Sequence, residues 1–85
     1  MSDRFVEAQE QVKTLTKRPS NEQLLELYAL FKQGSVGDVV GDRPGMMDFK
    51  ARAKYDAWAK RRGMASAAAK DAYVALVDDL LTSYR

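Results

Sequence analysis

Lys50, Lys54, Ala57 and Arg61 recur at helical spacing, and Ala51, Tyr55, Trp58 and Arg62 recur one residue on. At 100° per residue the two sets form adjoining stripes of one helix, with cations beside aromatic faces. That combination suits a ligand carrying a phosphate together with a ring or an apolar chain. The same residues admit a plainer reading, in which Tyr55 and Trp58 face a core and the lysines are solvated.

Other chemistries are harder to assemble. The chain has neither cysteine nor histidine. Thiolate nucleophiles, disulfides and thiolate metal sites are therefore excluded, and so are the usual imidazole base and imidazole metal ligand. The glycines of 34–45 match neither a dinucleotide fingerprint nor a phosphate-binding P-loop, so they read as turn residues. An enzyme is not expected, and no cofactor or metal is called for.

Net charge is only +2, too small for general nucleic-acid binding. Its distribution is uneven. Phe49 to Arg62 carries six cations against Asp56 alone, a net +5, which leaves −3 for the rest. A basic island on an acidic body attracts anions locally. Met1 to Phe5 does not read as a signal peptide and no apolar run reaches membrane-spanning length, so a cytoplasmic protein is expected.

The elements that must position these side chains are helical. Ser2 and Asp3 open a first helix with Phe5, Ala8, Val12 and Leu15 as its apolar stripe, stopping near Thr16 because Pro19 disfavours helix at Arg18. Ser20 with Gln23 predicts a capping box, and Leu24, Leu27, Tyr28 and Phe31 share one face before Gly34 ends the run. Ser35 to Met47 is a long connection with Asp38 and Asp42 as turn formers. A third helix is predicted from about Phe49 to Arg62 with Gly63 after it. Ser66 would cap a fourth, striped by Ala69, Tyr73, Leu76, Val77, Leu80 and Tyr84. Four helices and no credible strand make an all-α bundle in one domain.

Ordered short matches run along this frame. They are Phe5 with Val12, Lys13 and Leu15; Pro19-Ser20; Tyr28 with Lys32-Gln33; Val36-Gly37-Asp38; and Arg43-Pro44-Gly45-Met46. Asp48-Phe49, Lys54-Tyr55-Asp56-Ala57-Trp58 and Ala72-Tyr73 complete the set. Each is weak alone; in order and at this spacing they are specific. The chain resembles the small stand-alone acyl-CoA-binding proteins over essentially its whole length.

That resemblance implies an up-down-down-up four-helix bundle, with a long overhand loop between helices two and three and one acyl-CoA-binding domain over 1–85. It implies a carrier that binds long-chain fatty acyl-CoA, meets acyl-CoA-using enzymes transiently, and works as a monomer without nucleic acid or stable membrane insertion. Residue by residue, Tyr28, Lys32 and Lys54 match the positions that hold the ribose 3′-phosphate. Phe31 and Tyr73 match the adenine-packing aromatics, and Lys13 a further nucleotide contact. Lys50 lies near the phosphates and chain, and Tyr55 matches the aromatic lining the acyl path. Phe31 stands where the family usually has tyrosine, which removes a hydroxyl bond contributing about 0.5–1.5 kcal/mol net. Tyr55 replaces the usual tryptophan, offering less area to the chain. Met64 to Ala68 also departs from the usual polar entry to helix four.

Two other classes remain to be weighed: a helical module that binds nucleic acid through the basic island, and a partner-binding bundle with Tyr28, Phe31 and Trp58 all in the core.

Overall fold

A computed structural model describes residues 3–84 of the chain. Four helices form there: α1 (Arg4–Gln11), α2 (Asn21–Ser35), α3 (Phe49–Ala59) and α4 (Ser66–Ser83). The described residues contain no strand.

Local chemistry sets most helix starts. The Asp3 carboxylate accepts the Phe5 N–H at 3.0 Å and opens α1; Ser2 lies outside the described residues. At α2 the Ser20 hydroxyl accepts from the Gln23 N–H at 3.1 Å, and the Gln23 side chain accepts from the Ser20 N–H at 2.9 Å. This is the predicted capping box, and such caps contribute about 0.5–2 kcal/mol. Asp48 caps α3 by accepting the Ala51 N–H.

The ends depart from expectation in four places. α1 stops at Gln11 and tightens into a 3₁₀ turn over Val12–Thr14, since Leu15 must already be extended on the way to Pro19. Gly34 does not end α2. The helix continues to Ser35, and Gly37, at φ +103°, turns the chain out while its N–H bonds the Lys32 carbonyl. α3 ends at Ala59, not Arg62: Arg61 and Arg62 bond the carbonyls three residues back, and Gly63 follows at φ +87°. Ser66 is the first residue of α4, not its cap; its hydroxyl donates to the Gly34 carbonyl at 2.7 Å and ties α4 to the end of α2.

The core joins Phe5 and Ala8 of α1, Leu27 and Leu30 of α2, and Tyr73, Val77, Leu80 and Leu81 of α4. Leu30, Val77 and Leu80 are essentially sealed from solvent, and each such side chain contributes about 1.5–3 kcal/mol. α4 lies between α1 and α2, and α3 packs only on α2, so the backbone is flat, 35 × 29 × 15 Å. This explains why α3 carries cations on so much of its surface.

Cross-helix contacts give the directions. Gln23 near the start of α2 meets Tyr84 just beyond α4, while Gly34 meets Ser66, so α2 and α4 are antiparallel. Arg4 meets Asp78 and Thr16 meets Tyr84, so α1 runs with α4. Leu24 and Leu25 share a cleft with Phe49 and Lys50, and Lys32 meets Trp58, so α2 and α3 are parallel. The bundle is up-down-down-up. Parallel neighbours demand that the chain return the whole length of α2, about 22 Å, before α3 begins. Residues 36–48 do this along α3. The Trp58 indole N–H donates to the Gly37 carbonyl at 2.8 Å and the Tyr55 hydroxyl to the Gly41 carbonyl at 2.9 Å. Arg43 forks onto Asp56 at 2.8 and 2.7 Å.

Candidate functional site

Three hollows matter on this small surface. The largest, about 580 Å³, lies in the α2–α3 seam over Ala29, Ala53 and Ala57. Its rim carries Glu22, Glu26 and Asp56, and Arg61 reaches across to Glu26 at 3.6 Å. Three carboxylates against Lys60 and Arg61 leave it net negative, a poor seat for a phosphate.

The second hollow, about 470 Å³, has the opposite character. Arg18, Asn21, Leu24, Leu25 and Tyr28 form one wall, and Phe49, Lys50, Ala53 and Lys54 the other. The half-buried Leu24, Leu25 and Ala53 make an apolar floor, with the exposed Phe49 ring at its edge; the three cations ring it, and no carboxylate lines it. The third, about 430 Å³, is lined by the 3₁₀ turn and the stretch to Pro19, with Lys13, Lys17, Leu27 and Tyr73. Arg18 and Leu24 line both, so the two adjoin at the start of α2.

The parallel run of α2 and α3 pairs their cations and rings. The Lys54 ammonium lies 5.5 Å from the Tyr28 ring centroid, and that of Lys32 lies 5.0 Å from the Trp58 ring. Among the described residues none of Lys32, Lys50 and Lys54 forms a salt bridge, whereas Arg4, Lys13, Arg43 and Arg61 each hold a carboxylate. Aromatic faces locate an ammonium without neutralising it. The cations around the cleft therefore keep their charge for an incoming anion.

The aromatic end is built by α1, α2 and α4. Phe5 stacks on Phe31 at 5.9 Å between centroids and meets Tyr73 edge-on at 5.2 Å. Phe31 and Tyr73 are tilted at 6.3 Å. Burial pushes the Tyr73 phenol above its ordinary pKa, which keeps it a neutral donor.

Of the eight residues singled out in the sequence, Tyr28, Lys50 and Lys54 line the α2–α3 cleft, and Lys13 and Tyr73 the hollow adjoining it. Phe31 is the half-buried ring beside the buried Tyr73 in the aromatic cluster, and Lys32 sits over Trp58. Tyr55 lines neither hollow; its hydroxyl is spent on the loop carbonyl of Gly41. Sequence reasoning missed Arg18, which joins the two hollows. Its only local signal was a place before Pro19, which read as a helix stop. It also passed over Leu24, Leu25, Phe49 and Ala53 as binding residues, because an apolar floor looks like core until the partner helix is placed.

The chain is similar to known proteins over nearly its whole length. The family model for acyl CoA binding protein matches residues 2–77. The chain is 54% identical over 80 residues to acyl-CoA-binding protein homolog 1 of Caenorhabditis elegans, covering 94% of this chain and 93% of that one. It is 49% identical over 84 residues to the acyl-CoA-binding protein homolog of Drosophila melanogaster, covering 99% and 98%. Among solved structures, acyl-CoA-binding protein 2 of Oryza sativa superposes with a TM-score of 0.91 at 41% identity, over 94% of this chain and 87% of that one. The solution structure of the yeast acyl coenzyme A binding protein gives 0.76 at 42% identity, over 99% and 98%. With the family model spanning nearly the whole chain and the fold shared with its solved members, this chain belongs to the acyl-CoA-binding protein family.

Proposed function

We propose that the chain binds long-chain fatty acyl-CoA thioesters and carries them between the enzymes that make and use them. One observation carries this reading: Lys32, Lys50 and Lys54, free of carboxylates, gather with Arg18 and Tyr28 around and beside an apolar-floored cleft. A ribose 3′-phosphate carries roughly −1.5 to −2 charge, as other phosphomonoesters do, and is matched by Lys32, Lys54 and the Tyr28 hydroxyl. Lys13 and Lys50 take further nucleotide and phosphate contacts. Phe31 and Tyr73 offer rings to adenine. Leu24, Leu25, Phe49 and Ala53 receive the start of the acyl chain, which contributes about 0.8 kcal/mol per buried methylene. Tyr55 serves the acyl path by holding the loop at Gly41.

The functional unit is the whole of 1–85, because Leu80 and Leu81 complete the core beyond the matched family segment. The role is that of a carrier and not a catalyst, working as a cytoplasmic monomer without nucleic acid. Among the described residues no helix is long and apolar enough to cross a membrane. Titration calorimetry with palmitoyl-CoA, free CoA and palmitate tests the assignment. Palmitoyl-CoA should bind tightest by a wide margin; equal affinity for free CoA would remove the acyl chain from the account.

A further inference from the structure

Met46, Met47 and Phe49 are 73%, 92% and 77% exposed within four residues, at the turn that enters α3. Large apolar side chains bared side by side mark an interaction surface more often than chance exposure. Their surroundings identify the partner. From Arg43 to Lys54 the chain carries Arg43, Lys50, Arg52 and Lys54 against Asp48 alone. The Asp48 carboxylate is turned back onto the Ala51 N–H, and Asp56, the next acid, is gripped by Arg43. Phe49 and Lys50 also line the mouth of the α2–α3 cleft, together with Arg18 and Lys54.

We propose that the Met46–Met47–Phe49 tip is a docking surface for anionic lipid bilayers, and that it presents the mouth of the α2–α3 cleft to them. Flexible thioethers and one ring enter the interfacial layer, and the cations beside them meet anionic headgroups. Three apolar side chains on a turn give reversible adsorption, not insertion. Its use in lifting an acyl-CoA from a membrane rests on the ligand assignment above; the adsorption itself does not.

The test is flotation of the intact chain with acyl-CoA-free vesicles, either phosphatidylcholine alone or phosphatidylcholine with phosphatidylserine. The chain should float with the anionic vesicles at low salt and be released at high salt. The double variant Met46→Ser, Met47→Ser should lose at least about fivefold of that partition. Neither methionine lines the cleft, so its palmitoyl-CoA titration without vesicles should match the wild type. Absence of flotation, equal flotation with neutral vesicles, or equal flotation of the double variant each overturns the docking surface. A wild-type chain that floats through this tip yet ignores palmitoyl-CoA overturns the ligand assignment and leaves the docking surface standing.

Discussion

Lys32 of α2 holds its ammonium 5.0 Å from the centroid of the Trp58 ring on α3, one helical turn beyond the Tyr28–Lys54 pair that lines the cleft. Trp58 is itself anchored, being buried with its indole N–H on the Gly37 carbonyl at 2.8 Å. A long, flexible cation is thereby directed by a rigid ring while remaining available to an anion. Lys32 is half-buried over that ring, and a contact of this kind contributes only about 1 kcal/mol to stability. Lys32→Ala should therefore weaken palmitoyl-CoA binding at least about tenfold, roughly 1.4 kcal/mol, with little change in thermal midpoint. Calorimetry beside a thermal melt checks both halves. An unchanged dissociation constant would return Lys32 to the solvated surface.

Tyr28 separates ring from hydroxyl. Its ring faces the Lys54 ammonium at 5.5 Å, and among the described residues its hydroxyl bonds no protein group. Tyr28→Phe keeps the ring and removes only the donor. A hydrogen bond to a charged group is worth about 1.5–3 kcal/mol, so affinity for CoA esters should fall by about tenfold or more while the melt stays put. Equal affinity of the two proteins would leave the phenol with no part in phosphate binding.

Gly34 is a packing glycine. A Cβ there would lie 2.9 Å from the Lys70 Cγ and 3.4 Å from the Phe5 Cζ and the Lys70 backbone nitrogen. Gly34→Val should destabilise the fold by about 1–3 kcal/mol through overpacking. Gly37→Ala is the contrast, because nothing lies within 4 Å of that Cβ and only its φ of +103° resists. Urea unfolding should show an unchanged slope and a lower midpoint for Gly34→Val.

Asp38 ties three segments together. Its Oδ1 accepts the Gly63 N–H at 2.8 Å and the Gln33 Nε2 at 2.9 Å, and Gln33 Nε2 also donates to the Met64 carbonyl. The Gly63 N–H, then Gln33, hold the Asp38 carboxyl below its ordinary pKa. A folded pKa below the unfolded one adds stability that is complete above about pH 4 and is lost as pH falls through the folded value. Asp38→Asn should melt lower than wild type at pH 7, and the gap should close in acid. A gap that stays constant from pH 7 to pH 2.5 would show that charge on Asp38 plays no part.

What could be read in advance was local. The Ser20–Gln23 box, the Asp48 cap and the apolar stripes of α1 and α4 depend on residues within two turns of one another, so spacing alone reveals them. All eight site residues lay in predicted helices, although Lys13 falls in the 3₁₀ turn just past α1. Helix ends and side-chain partners were decided from far away. Gly34 reads as a terminator, yet α2 runs through it to Ser35, and its lack of a side chain instead makes room for Phe5 and Lys70. Tyr55 and Trp58 share a stripe, but the crossing loop claims the Tyr55 hydroxyl at Gly41 and the Trp58 N–H at Gly37. Arg18 entered the site only when parallel packing of α2 on α3 set its neighbours. The sequence by itself determined helix-forming segments, caps and the supply of cations and rings, since these follow from backbone geometry over a few residues. Which cations escape neutralisation, and which rings hold them in place around the cleft, was decided only by the overhand crossing, because it lays α3 beside α2 and so pairs Lys32 with Trp58 and Lys54 with Tyr28, each 26 positions apart.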